Sequence, residues 1–156
     1  MTQISKYCTL EEATRSQTAE RHGIDNTPNQ AQLENMKFVA EMIFDPIREK
    51  FGPITCSSFL RVRELNRMVG STDRSYHTFG AAIDFRKLGE KYSYKEIFDF
   101  VRENLCFSEL IWEYGDDNEP AWVHVAYLPG DERKRVKRAY YDKDWKKNRV
   151  IEFDLY

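Results

Sequence analysis

The chain has 156 residues, a formal net charge of −2, and 41% hydrophobic and 32% charged residues. That length suits one domain with a real core, and the balance is that of an ordinary soluble globular protein, not of a molecule that grips nucleic acid over its whole surface. No apolar run approaches a membrane span, and the opening "MTQISKYCTLEEATRSQ" lacks a basic-then-apolar signal pattern, so synthesis in the cytoplasm without a signal peptide is expected.

In chain order, "LEEATRSQTAERHG" predicts a helix ended by Gly23, and "IDNTPN" a loop with Pro28 placed to start the next helix. Leu33, Met36, Phe38, Val39, Met42, Ile43 and Ile47 recur at near-helical spacing over residues 31–50, which makes this the main core helix, with Pro46 bending or tightening its last turn. "FGPITCSSFL" reads as a turn and short strand, and "RVRELNRMVG" as a short helix closed by Gly70. "STDRSYHTFGAAIDF" runs from loop into strand. Ile97, Phe98, Val101 and Leu105 mark an amphipathic helix in "SYKEIFDFVRENL". "SELIWEY" and "AWVHVAYL" are strands around the polar loop "GDDNEP". The charged, aromatic tail from Arg133 ends in "VIEFDLY", a final strand, and its basic run reads as a solvated face. Cys8, Cys56 and Cys106 form no C-x-x-C pair and are expected as free thiols. Helices first and strands later predict an α+β fold, one domain over residues 1–156, with an antiparallel sheet and helices packed on one side.

Side chains alternate along a strand. In "FGAAIDF", Phe79, Ala81, Ile83 and Phe85 then face the core, while Gly80, Ala82 and Asp84 share a face that is bare except for one carboxylate. In "AWVHVAY", Trp122, His124 and Ala126 share a face opposite Val123, Val125 and Tyr127; in "LIWEY", Ile111 and Glu113 share one. His77 sits just before the first of these strands. Two histidines and a carboxylate suit zinc with an open fourth position, at which water ionises near neutral pH. A buried histidine also serves as plain packing, so the spacing by itself leaves both roles open. His22 lies where a helix ends and reads as a surface residue.

The pattern Ser75-x-His77-x-x-Gly80-x-Ala82-x-Asp84 resembles the signature of the zinc D-Ala-D-Ala carboxypeptidase family, which shares its fold with Hedgehog signalling domains and includes phage endolysins. "WVHV" resembles the strand supplying that family's last zinc histidine, and "ITCSSFLRVRELNRMVGST" its serine and arginine segment. The leading "SKYCTLEEATRSQTAERHGIDNTP" resembles short phage and prophage versions. The resemblance implies a Hedgehog/DD-peptidase-like fold, Zn2+ held by His77, Asp84 and His124, and hydrolysis of peptidoglycan stem peptides as carboxypeptidase or endolysin-type endopeptidase. A monomer without nucleic-acid partner or membrane insertion is expected, and the missing signal fits action on the bacterial wall after release.

Two departures leave choices open. Many members carry a glutamate three residues before the final histidine, where this chain has Ala121. Glu113 is the expected general base, because alternation aims it at the open face; Glu119 is the alternative, and Asp117 lies nearby. "FLRVR" stands where the family usually has "GYRSP". Arg61 aligns with the arginine that grips a substrate carboxylate, with Arg63 as fallback and Ser75 as a hydrogen-bonding helper. Tyr76, Trp112, Trp122 and Tyr140 are candidates for a substrate groove or for the core. The alternative function is a catalytically inactive zinc-containing binding or phage structural module of the same fold. Nucleic-acid binding through the basic tail is a further rival.

Overall fold

The computed structural model describes residues 1–141 and 149–153. Helix α1 (Leu10–Thr14) opens with a capping box in which Thr9 and Glu12 satisfy each other's amides. Ser16 then accepts from Ala19 N–H and starts α2 (Gln17–His22). The segment expected as one helix is thus two, because the Ser16 side chain captures amides that a continuous helix would use and Arg15 turns extended between them. Gly23, at φ 63°, closes α2 as expected.

The long core helix is present with a change of pitch. Helix α3 (Gln30–Val39) passes through a π turn (Ala40–Phe44) into α4 (Asp45–Phe51). Within the π turn the Asp45 amide reaches five residues back to Ala40 O. Pro46 has no N–H to give and its ring would crowd a normal turn, so the wider turn ahead of it keeps the helix going.

Six strands form one sheet in the order β1 (Ile54–Ser58), β2 (Ala82–Lys87), β4 (Trp122–Ala126), β3 (Glu109–Glu113), β5 (Arg135–Tyr141) and β6 (Arg149–Phe153). Helices α5 (Arg63–Met68) and α6 (Tyr94–Asn104) complete an α+β fold. Ile83, Phe85, Leu110, Trp112, Val123 and Val125 form one face of the sheet and join the core residues of α3, the π turn, α4 and α6. Phe44 stacks on Phe85 at 5.9 Å and Phe98 meets Trp112 edge-on at 5.3 Å. Trp112 is therefore core, not groove. None of the described helices is long and apolar enough to cross a membrane.

Three expectations are corrected. The sheet is mixed, because β5 lies parallel to β3 while the other pairs are antiparallel. Strand β5 itself falls in the run read as a solvated basic face: Val136, Lys137 and Ala139 are buried, and the basic residues between them mask the alternation. Residues 142–148 of that run, and 154–156 of the expected last strand, lie outside the described residues. Finally, Phe79 is 45% exposed, because the strand starts only at Ala82 and residues 76–79 form a 3₁₀ turn. Gly80 enforces this break at φ 70°; a Cβ there would lie 2.7 Å from both Gln32 O and Met36 Cγ.

Candidate metal centre

On the sheet face opposite the core, β2 and β4 set Asp84 directly across from His124, and Ile111 of β3 lies across from His124 on the other side. Small Ala82 and Ala126 occupy the next positions along. His77 arrives from the 3₁₀ turn and donates its amide to the Ser75 hydroxyl at 3.3 Å. One donor atom each from His77, Asp84 and His124 lies within 4.8 Å of the others. This is the trio singled out from the sequence.

Hydrogen bonds fix which nitrogen each ring presents. His77 Nδ1 is 2.7 Å from Phe59 O, so that nitrogen carries the proton and donates. Its Nε2, buried and without a hydrogen bond, points a lone pair toward Asp84 Oδ1 at 3.4 Å. His124 contacts Asp84 Oδ1 through Nδ1 at 2.9 Å and Glu109 Oε1 through Nε2 at 3.0 Å. Burial lowers the pKa of His77. Burial also pulls on His124, but its hydrogen bonds to the Asp84 and Glu109 carboxylates prevail and raise it to about 9. Asp84 is held well below the usual carboxylate range by both histidines, against its burial. Two carboxylates flanking the His124 ring concentrate negative charge at this spot, where a cation is favoured. An orphaned buried nitrogen, a second imidazole and a carboxylate fit zinc with an open position.

Glu109 and Lys137 are the residues that sequence reasoning missed. Glu109 shares a strand face with Ile111 and Glu113, and its other oxygen meets Lys137 Nζ at 2.5 Å. Both side chains are about nine-tenths buried, at 11% and 9% exposure. Burial would raise Glu109, yet His124 and Lys137 hold it down at about 2. With Nε2–H donating to Glu109, His124 has Nδ1 left for a metal, the usual task of a carboxylate behind a ligating histidine. Extending the alternation of Ile111 and Glu113 back by two would have exposed Glu109; nothing local marks Lys137.

Arg61 reaches the trio: its Nη2 is 3.9 Å from Asp84 Oδ2. The segment carrying it is held by backbone and side-chain bonds. Arg61 N–H donates to His77 O, Leu60 N–H to Ala13 O, and buried Asn26 clasps Leu60 O and Val62 N with its amide group while also donating to Thr14 O. Arg63 instead lies exposed near Asp73 at 3.9 Å. Glu113 ends β3, buried to 3% exposure and paired with Trp122. It flanks Ile111 on the side away from Glu109, so the two carboxylates lie on either side of the His124 position at about 7 Å per two-residue step. Glu119 accepts from Tyr94 N–H at 2.7 Å and sits 3.5 Å from Lys87, anchoring the start of α6. Asp117 pairs with Arg138 at 2.6 Å. Trp122 packs on Tyr114 at 5.4 Å, and Tyr76 O–H donates to Asp131.

A sheet face that gathers two imidazoles and a carboxylate beside an arginine defines a class of site able to hold a metal ion. A family model described as peptidase M15 matches residues 6–126, and the chain belongs to that family. The family is one of zinc-dependent metallopeptidases. No curated protein matches the chain. The matched span holds every residue of the trio and Glu109 but ends before β5, so Lys137 comes from outside it.

Proposed function

We propose that the protein is a zinc peptidase that hydrolyses peptidoglycan stem peptides. The observation that carries this is the trio of two buried histidines and the part-buried Asp84, with His77 Nε2 left without a hydrogen bond among donors no more than 4.8 Å apart, in a peptidase M15 chain. His77 through Nε2, Asp84 through its carboxylate and His124 through Nδ1 would hold the metal. Zinc bound there would supply Lewis acidity for a scissile carbonyl and for water.

The remaining work falls to the chain's own residues. Glu113 is the general base, taking the proton of the attacking water and returning it to the leaving amine. Its buried position gives a carboxylate little water to compete with. Arg61 orients the substrate by gripping a carboxylate with its planar fork. Ser75 holds the turn that aims His77, and its hydroxyl is the helper for a substrate polar group. Glu109 and Lys137 keep His124 oriented. The enzyme acts as a monomer on the bacterial wall once released, as an endolysin-type or wall-remodelling peptidase.

Mass spectrometry of muropeptides incubated with the zinc-loaded protein tests this reading. Loss of a terminal D-alanine or appearance of two shorter peptides, abolished by chelation and restored by zinc, is expected. Zinc-loaded protein that leaves every muropeptide intact would establish the inactive binding module instead.

A further inference from the structure

A cleft of about 400 Å³ lies between the α1–α2 junction, β1, the end of α5 and β2. Its lining includes Arg15, Arg61 and Arg86, with the hydroxyls of Ser16, Ser57 and Ser58, and contains no acidic side chain. In a chain of net charge −2 this is a concentration of positive charge. Arg61 belongs both to the cleft and to the metal centre, through its 3.9 Å approach to Asp84. Arg61 thus links the cleft to the metal centre.

Two of its arginines are uncommitted. Arg15 and Arg86 are exposed and have no ion-pair or hydrogen-bond partner among the described residues. Elsewhere on the surface Arg67 pairs with Asp73, Arg133 with Asp131 and Arg138 with Asp117. Arg86 is two positions from Asp84 on β2 and so shares its face, about 7 Å along the strand. Arg15 projects from the extended link between α1 and α2, where its charge acts on Cys56 in the cleft wall. Guanidinium groups on separate elements, Arg15 on the α1–α2 link and Arg86 on β2, offer separate forks to separate carboxylates on an extended chain.

We propose that this cleft is a second anion subsite, in which Arg15 and Arg86 bind carboxylates of the substrate beyond the one read by Arg61. The favoured ligand is a polyanionic peptide with at least two free carboxylates, one beside the scissile bond and one further along. This rests on the peptidase reading for the identity of the substrate, but not for the binding itself. Amidation of the distant carboxylate would then weaken substrate binding without touching the metal.

Isothermal titration of the zinc-loaded protein with N-acetyl-tri-D-glutamate, and with the same peptide fully amidated, tests it. The acid form should bind at least tenfold more tightly, with an affinity that falls as salt rises. The double variant Arg15→Gln/Arg86→Gln, which keeps Arg61, should lose roughly tenfold for the acid form and nothing for the amide. Arg15→Lys/Arg86→Lys should recover part of the loss by charge alone. Both arginines are exposed, so thermal unfolding should be unchanged. Equal affinity of wild type and double variant for the acid form, or of wild type for acid and amide, overturns the proposal. Titration reads binding without turnover, so a protein that binds as described yet leaves muropeptides intact refutes the peptidase reading alone.

Discussion

Lys137 Nζ and Glu109 Oε2 meet at 2.5 Å beneath His124, joining a strand outside the family match to the metal centre. The pair is buried, so each charge depends on the other. Glu109→Ala should weaken zinc affinity by about 10–100-fold, the usual worth of a carboxylate behind a ligating histidine. Lys137→Met should also weaken it, by leaving the Glu109 carboxylate buried without its counter-charge. The double variant Glu109→Gln/Lys137→Met retains an oxygen acceptor for His124 and buries no charge, so it should recover affinity relative to either single change. Competition against a chromophoric chelator measures all three. A double variant no tighter for zinc than the weaker of the two single variants would mean that the pair does not act through His124.

Glu113→Gln keeps shape but removes basicity. Turnover of muropeptides should fall by about 10²–10⁴-fold with zinc content unchanged. Full turnover would move the base to Glu119, despite its engagement with Tyr94 and Lys87. Loss of zinc would show instead that Glu113 supports the metal.

Asn26 ties three strands of loop together around Arg61 with bonds of 2.9 Å to Thr14 O, Leu60 O and Val62 N. Asn26→Ala leaves those groups unsatisfied and should cost about 2–4 kcal/mol in urea unfolding. Because the same bonds set the Arg61 segment, KM should rise more than kcat falls. A stable variant with normal KM would show that the clasp at Arg61 N–H is sufficient.

How much of the fold and the site is legible in the sequence depends on physical range. Gly80, His77 and Asp84 lie within one turn and one strand, where backbone conformation and alternation are local, and the trio assembles as expected. Arg61 and Glu113 are located by motif and by face. Lys137 is not, since its role depends on parallel pairing of β5 with β3, a long-range choice that a basic run such as "ERKRVKR" conceals. The break at Ser16 escapes notice because periodicity continues across it while a single capping hydroxyl stops the helix. Phe79 is misplaced by one left-handed glycine, which resets strand alternation. The loop shape left open by the departure from "GYRSP" turns on Asn26, far away in the chain.

Acid should loosen the turn that carries His77. Asp131 accepts from Arg133 and from the Tyr76 hydroxyl, at 2.9 and 2.8 Å, and Arg133 above all holds its carboxyl down at about 2. The folded value lies below the unfolded one of about 3.9, so the contribution is complete above that pH and is lost as pH falls toward 2. In metal-free protein, Asp131→Asn should lower Tm near pH 7, and the gap from wild type should close between about pH 4 and pH 2. A gap that persists unchanged at pH 2 would show that the carboxylate charge is not its source.

Zinc stoichiometry of the purified protein, beside that of Asp84→Ala, tests the central claim most directly. The variant removes one donor from a side chain only 14% exposed, and circular dichroism checks that it remains folded. Wild type should carry one zinc per chain, and folded Asp84→Ala should lose nearly all of it under the same dialysis. Full zinc in the folded variant, or a wild type that takes up none, would contradict a centre built from His77, Asp84 and His124.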